Sequence, residues 1–164
     1  MGEHVVAQVQ TQGARAAGAG HDSFLAADVG GTHVRVGRVR AGSDAIDVLD
    51  YATYRCAEHP GLAAILRDFL ARGPAVSECV IASAGFPLED GSVIAANLPW
   101  ALSPRAIRDE LGLHAVHLVN DFEAVAHAAA YVDASEVLQL TGPAQAPRAP
   151  TLVLGPGTGL GAAV

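Results

Sequence analysis

Two glycine-rich segments carry the clearest candidates for binding chemistry in this chain. Each follows an apolar run typical of a buried strand, and each contains a Gly-Thr pair. Glycines can adopt a positive φ and leave backbone N–H groups unobstructed, so a tight turn can wrap an anion, and a threonine hydroxyl adds a donor. Phosphate binding is therefore predicted at Asp28, Val29, Gly30, Gly31 and Thr32, and at Gly155, Gly157, Thr158 and Gly159. For each segment alone, a simple hairpin turn is the alternative.

The absence of lysine from the chain and the presence of Asp28 beside the first turn restrict which kinds of phosphate site are possible. All ten basic residues are arginines, so the chain has no lysine for a Walker A loop, a Schiff base or a lysine general base. Asp28 adds a carboxylate, which is favourable beside phosphates when a divalent cation lies between them, directly or through water. The first turn is also predicted to have a strand on both sides, unlike a Rossmann turn, which opens a helix.

The pair Asn120-Asp121 lies where a buried strand is predicted to end and a helix to begin. Polar groups at the carboxyl ends of strands in open α/β sheets tend to face the ligand crevice. Asp121 could accept a proton from a substrate hydroxyl, and Asn120 could bind a neighbouring hydroxyl. The alternative is structural, since Asn120 followed by Glu123 also resembles a helix-capping box, and both roles are compatible.

A third candidate segment holds the only tryptophan of the chain. Asn97 and Trp100 lie in a predicted loop before a helix, which would suit a surface that faces a sugar. The alternative for Trp100 is an anchor that packs the loop against the helix. The seven histidines form no metal-ligand pattern.

Composition restricts the class of protein and its compartment. The 164 residues are 51% hydrophobic with a formal net charge of −7, which argues against nucleic-acid and anionic-membrane surfaces. Cys56 and Cys79 form no CxxC pattern and favour buried, reduced thiols. No apolar run approaches the length of a membrane span, and the amino terminus has no signal-peptide core. We therefore expect a soluble cytoplasmic protein.

Hydrophobic periodicity predicts three successive strands followed by α/β alternation. In the second strand, Val34, Val36 and Val39 alternate with Arg35, Arg38 and Arg40, and the phase slips near Gly37. Ser103-Pro104 is a helix start, and Gly112 ends that helix. This order predicts a mixed sheet covered by helices on both faces. The predicted strands span 24–29, 32–40, 46–54, 79–84, 92–96, 115–119 and 151–154, and the predicted helices span 61–72, 103–111 and 121–132.

Three segments in this order resemble the bacterial glucokinase family, part of the hexokinase and actin-like ATPase superfamily. They are Leu25–Arg35, Leu118–Ala126 and Leu154–Ala162. The family commonly has Asn where this chain has His33, whereas Phe122 fits the glucokinase group better than the related ROK sugar kinases.

The resemblance implies an RNase H-like α/β domain, with a mixed five-stranded sheet flanked by helices, and the first strands of a second such domain. ATP and Mg²⁺ would lie between the two domains. Residues 1–22 would be a flexible extension, 23–142 the first domain, 143–150 a linker and 151–164 the start of a truncated second domain. The implied phosphate loops are Ala27–Thr32 and Gly155–Gly159, with Asp28 holding Mg²⁺ through water.

The same resemblance implies the reaction. The protein would be a glycolytic glucokinase that transfers the γ-phosphoryl group of ATP to the 6-hydroxyl of glucose. Asp121 would take the hydroxyl proton, Asn120 would bind a sugar hydroxyl, and Asn97 and Trp100 would approach the sugar. Family members run to roughly twice this length, so we expect the 164-residue chain alone to be inactive. A non-catalytic or truncated relative that binds sugar or nucleotide without turnover is the alternative, and homodimer formation stays open.

Overall fold

The computed structural model describes residues 23–42, 46–88, 93–94, 98–132, 135, 137–142, 150–156 and 160–164. The predicted extension 1–22 and nearly all of the predicted linker 143–150 lie outside these residues. The division into two domains stays a prediction. Among the described residues, no helix is long and apolar enough to cross a membrane.

The first half of the central sheet is an antiparallel meander. Strand β1 (Phe24–Val29) pairs with β2 (His33–Ala41), and β2 pairs with β3 (Ile46–Arg55). The register shifts between Arg38 and Val39, which places a bulge next to the predicted phase slip. The three predicted strands are therefore confirmed.

Arg38 differs from the predicted alternation. The alternation predicts that Arg38 lies on the same side of β2 as Arg35 and Arg40, but it is 1% exposed and lies on the face that buries Val34 and Val36. The guanidinium lies 5.2 Å from the ring centroid of Phe69, and its Nη1 donates to Asp50 Oδ2 at 3.0 Å. A cation–π contact and a charged hydrogen bond compensate for removing this arginine from water.

The second half of the sheet is parallel. Strand β4 (Glu78–Ser83) pairs parallel with β1, and β7 (Ala115–Asn120) pairs parallel with β4. The strand order is β3-β2-β1-β4-β7, a mixed five-stranded sheet as predicted. A two-residue strand pair, β5 (Phe86–Pro87) and β6 (Val93–Ile94), lies beside it in the chain.

Helices cover both faces of this sheet. Helix α1 (Leu62–Leu70) buries Leu62, Ile65, Leu66 and Phe69 in the core, and α2 (Pro104–Leu111) packs against α1 and β7. Helix α3 (Asp121–Ala129) contacts β4 and β7 on the opposite face.

Local end signals account for the boundaries of α2, and the weak anchoring of α3 accounts for a shorter helix than predicted. Ser103 Oγ accepts from the Ala106 N–H at 3.3 Å, and Gly112 ends α2 with φ +65°. Helix α3 ends three residues before the predicted position 132, since Tyr131 and Val132 are exposed and gain no burial from a longer helix.

The last described segment is a hairpin that packs against α3. Strand β8 (Val153–Pro156) pairs antiparallel with β9 (Leu160–Ala163), so that Gly155 faces Gly161. The predicted strand at 151–154 is thus displaced by two residues toward the carboxyl terminus. Both strands contact α3, which places the hairpin near the carboxyl end of β7.

Candidate functional site

Three parallel strands end together at one edge of the sheet. Val29 at the end of β1 pairs with Ser83 at the end of β4, and Ser83 pairs with Asn120 at the end of β7. The first glycine turn and the Asn120-Asp121 pair follow two of these ends directly. The topology therefore brings together two sequence motifs that lie far apart in the chain, at the edge where open α/β sheets bind ligands.

The first glycine turn is a hairpin connection between β1 and β2, and its shape differs from the predicted reason for its glycines. The Gly30 N–H donates to the His33 carbonyl at 3.0 Å, and Gly30 does not have a left-handed φ. A Cβ at Gly30 would lie 3.3 Å from the His33 oxygen. Glycine at position 30 is therefore explained by close backbone approach, not by a left-handed conformation.

Neighbouring strand ends hold this turn from the core side. Cys56, directly after β3, donates its backbone N–H to the Thr32 carbonyl at 2.9 Å and its thiol to the Gly30 carbonyl at 3.2 Å. Ser83 Oγ lies 3.4 Å from the Val29 carbonyl oxygen. Burial raises the pKa of Cys56, so its thiol keeps the proton that it donates. The carbonyls of Val29, Gly30 and Thr32 thus accept hydrogen bonds from neighbouring strand ends.

Asp28 projects from the opposite face of β1 and pairs with an arginine. It lies directly across from Arg35 on β2, and Arg35 Nη1 donates to Asp28 Oδ2 at 2.9 Å. The hydrogen bond and charge of Asp28 raise the pKa of Arg35. Both side chains are about half exposed, at 56% and 52%, so the pair is screened by water and accessible to other charged groups.

Asn120 is the amino-terminal cap of α3, as the structural alternative predicted. Its Oδ1 accepts from the N–H groups of Phe122 at 2.9 Å and Glu123 at 3.2 Å. Asp121 Oδ1 accepts from the same Phe122 N–H at 2.9 Å. Each side chain uses one oxygen in the helix start, which leaves the Asn120 amide nitrogen and the second Asp121 oxygen for a ligand.

Two cavities open beside this helix start, one next to each member of the pair. Asp121 and Asp28 line the same cavity of about 360 Å³, together with Ala82 and four small or apolar residues of α3, one of which is Phe122. Asn120 lines a second cavity of about 240 Å³ with Ser83, Gly85 and Glu123. The two predicted carboxylates therefore face a shared space, and Asn120 faces an adjacent one.

Trp100 occupies an anchoring position. It is half-buried and packs against the core, and its indole N–H is buried without a hydrogen-bond partner in the described part of the chain. It does not line either of the cavities described above, among the residues given for them. Asn97 lies outside the described residues.

The second glycine turn is described only at its base. Gly155 lies in β8 beside the Phe122 ring, whereas Gly157, Thr158 and Gly159 lie outside the described residues. Like the first glycine turn, this turn joins two antiparallel strands.

The described residues suit a hard divalent cation better than a transition metal. No group of three His, Cys, Asp or Glu side chains capable of holding a metal is found among them. Asp28 and Asp121 offer two carboxylates in one cavity, and Mg²⁺ is commonly held by one or two carboxylates together with substrate phosphates. Asp28 therefore fits the predicted Mg²⁺ role, although a cation at this carboxylate would compete with its ion pair to Arg35.

Three residues of this site were not singled out by the sequence. In the sequence, Arg35 is only part of a strand alternation, and Cys56 is only one of two predicted reduced thiols. Ser83 was predicted inside a central strand without a role. The register of the hairpin would have paired Arg35 with Asp28, but no local pattern signals the contacts of Cys56 or Ser83.

Comparison with known proteins identifies the family of this chain. A family model described as Glucokinase matches residues 25–164. The chain belongs to the glucokinase family. This confirms the resemblance found in the sequence, and the glucokinase assignment covers the sheet, the first turn, Asn120-Asp121 and the hairpin.

Individual relatives of this glucokinase-family chain are longer than it is. It is 57% identical over 145 residues to a glucokinase-like protein of Xylella fastidiosa (strain 9a5c), covering 87% of this chain and 43% of that protein. It is 39% identical over 142 residues to a glucokinase of Pseudomonas aeruginosa (strain LESB58), covering 84% and 41%. The chain thus spans less than half the length of these relatives.

A solved structure supports the fold assignment. The crystal structure of a glucokinase from an Antarctic psychrotroph superposes with a TM-score of 0.74 at 29% identity, covering 86% of this chain and 45% of that one. The predicted α/β fold with a mixed five-stranded sheet flanked by helices is therefore confirmed.

Proposed function

We propose that the complete protein containing this chain is a glucokinase, which transfers the γ-phosphoryl group of ATP to the 6-hydroxyl of glucose. The observation that carries this proposal is the shared cavity of Asp28 and Asp121 at the carboxyl ends of the parallel strands. Family membership supports a sugar kinase, and the cavity brings Asp28, which precedes the first glycine turn, next to the candidate base Asp121. Two buried free thiols fit a reducing compartment, for which we propose the cytoplasm.

In this proposal Asp121 is the general base. As the bond between the sugar oxygen and the γ-phosphorus forms, the bond from that phosphorus to the bridging oxygen of ADP breaks. The hydroxyl proton passes to the free carboxylate oxygen of Asp121. The other oxygen stays bonded to the Phe122 N–H, which fixes the carboxylate at the start of α3.

Asn120 orients the sugar beside this base. Its Oδ1 is engaged by the helix, so its amide nitrogen is the group that can donate to a sugar hydroxyl in the adjacent cavity. Trp100 and Asn97 stay predicted sugar-loop residues, and for Trp100 the observed packing supports an indirect, anchoring role.

The turn residues and Asp28 would bind the phosphates. The backbone of Ala27–Thr32 would contact one part of the nucleotide, and the predicted second loop, with Gly155, Gly157, Thr158 and Gly159, would contact another. Mg²⁺ held by Asp28 through water would supply charge neutralisation on the phosphates. Arg35 then has to share or release the Asp28 carboxylate, since the two are paired at 2.9 Å.

Replacing the base by its isosteric amide tests this proposal. Asp121→Asn retains an Oδ1 acceptor for the Phe122 N–H, so α3 should keep its cap while proton transfer is lost. We expect kcat for glucose phosphorylation to fall by about 10²–10⁴-fold, with little change in glucose affinity. Asp109→Asn on the exposed side of α2 is the matched control and should retain wild-type kcat.

A coupled assay for glucose 6-phosphate, together with calorimetric glucose binding, distinguishes the outcomes. Wild-type turnover that survives in Asp121→Asn would refute the base assignment. Sugar or nucleotide binding by the wild-type protein with no turnover on glucose or other hexoses would favour the non-catalytic alternative.

A further inference from the structure

The side chain of Phe122 connects helix α3 to the β8–β9 hairpin. Phe122 directly follows Asp121, and its ring lies against Gly155 of β8 and Gly161 of β9, which face each other across the hairpin. A Cβ added at either glycine would lie less than 3 Å from carbons of the ring. Only glycine at both positions lets the hairpin approach the ring this closely.

The backbone of the same residue holds the Asn120-Asp121 pair. The Phe122 N–H donates to Asn120 Oδ1 and to Asp121 Oδ1, each at 2.9 Å. Phe122 therefore contacts Asp121, the candidate base, and Asn120, the candidate sugar-binding residue, through its backbone amide. Through its ring it contacts the β8–β9 hairpin. A phenyl ring has only two side-chain torsions, so this connection is stiff.

We propose that Phe122 is a positioning residue that sets the β8–β9 hairpin relative to the Asp121 carboxylate. The inference rests on the proposed function, because it assumes that the predicted second phosphate loop, which joins these two strands, binds nucleotide phosphate and that Asp121 receives the proton. Phosphoryl transfer requires in-line alignment of the phosphate and the hydroxyl, and a misplacement of about 1 Å can cost ~10²-fold in rate. A ring packed against two glycines transmits any shift of the hairpin directly to the start of α3.

The test combines truncation of the ring with filling of the glycine surface. In the complete protein, Phe122→Leu and Gly161→Ala should each lower kcat for glucose about 10- to 100-fold, with the glucose KM changed by less than about 3-fold. The double variant Phe122→Ala/Gly161→Ala should recover at least a few-fold of the kcat lost in Gly161→Ala, because the methyl group then occupies space vacated by the ring. Phe69→Leu is the matched control, since Phe69 is fully buried in α1 and its ring contacts Arg38 of β2.

Several results would overturn the inference. These are an unchanged kcat in Phe122→Leu, an equal loss of kcat in Phe69→Leu, or a double variant no better than Gly161→Ala. Each would show that the ring contributes only packing. A rise in glucose KM that accounts for the whole loss would also contradict it, since the proposed effect is on alignment and not on sugar binding.

Calorimetric binding of ADP separates this inference from the proposed function. A wild-type protein that binds ADP without phosphorylating any hexose would refute the glucokinase proposal. The contact between the Phe122 ring and the β8–β9 hairpin would then still predict that Phe122→Leu weakens ADP binding at least about 5-fold relative to Phe69→Leu. Equal ADP binding by those two variants would refute the positioning role. Absence of both turnover and ADP binding in the wild-type protein would refute both proposals.

Discussion

Replacing each cysteine by serine and by alanine should give opposite orders of stability at the two positions. At position 56 the serine variant should be the more stable, whereas at position 79 the alanine variant should be. Both side chains are buried, but among the described residues only the Cys56 thiol donates to a carbonyl, that of Gly30 at 3.2 Å. Cys79 lies at 0% exposure within β4, where burial raises the pKa of its thiol to about 12. The two positions therefore differ in hydrogen bonding while sharing burial.

The magnitudes follow from what each replacement leaves behind. A serine at position 56 can donate to the same carbonyl, whereas an alanine loses a hydrogen bond worth about 1 kcal/mol. A serine at position 79 buries a hydroxyl without that partner, which costs about 1–3 kcal/mol relative to alanine. We expect Cys56→Ser to exceed Cys56→Ala in unfolding free energy by about 1 kcal/mol, and Cys79→Ser to fall below Cys79→Ala by at least as much.

Urea unfolding of the four variants in the complete protein gives the free energies, and ATP kinetics give the functional consequence. Because the Cys56 thiol holds the Gly30 carbonyl, and only the backbone bond to Thr32 is left after its removal, Cys56→Ala should also raise the KM for ATP several-fold, and Cys56→Ser should restore it. Neither replacement at Cys79 should change this KM. The same order of Ser and Ala at both positions would refute the reasoning, as would an ATP KM that follows stability alone.

Two further predictions concern the cap of α3 and alkaline pH. Asn120→Ala and Ser103→Ala each remove a helix cap and should each lower the unfolding free energy by about 1 kcal/mol, but only Asn120→Ala should raise the glucose KM. Equal glucose KM values in the two variants would restrict Asn120 to capping. Above pH 9 the folded state keeps the Cys79 proton, whose pKa is about 12 against 9.0 for a free thiol, while the unfolded state releases it. Stability should therefore fall as pH rises, by up to about 1.4 kcal/mol per unit from this group. Urea unfolding between pH 8 and 10.5 should show a shallower decline in Cys79→Ala, and an unchanged slope would contradict the assignment.

Much of the fold follows from local patterns. Alternating valines and turn glycines predict the meander, and hydrophobic periodicity predicts α1. Ser103, Pro104 and Gly112 set both ends of α2, because capping depends on residues adjacent in the chain. Arg38 departs from its pattern, since its burial depends on Phe69 and Asp50 from other elements.

The candidate site divides in the same way. Glycine turns and polar residues at strand ends are visible as motifs, so Asp28, Gly30 and the Asn120-Asp121 pair could be named from the sequence, with the family that contains them. The sequence also suggested glycine φ as the property of the first turn. The structure shows close backbone approach at Gly30 instead.

The sequence by itself determined the order of the elements, the motifs and the glucokinase family, because these depend on residues near one another in the chain. Only the tertiary structure decided which groups meet. The parallel register of β1, β4 and β7 brings Asp28 to the cavity of Asp121, and packing places the Cys56 thiol under Gly30 and the Phe122 ring against the β8–β9 hairpin. Such contacts depend on register and packing between distant segments, for which the spacing of residues along the chain carries no signal.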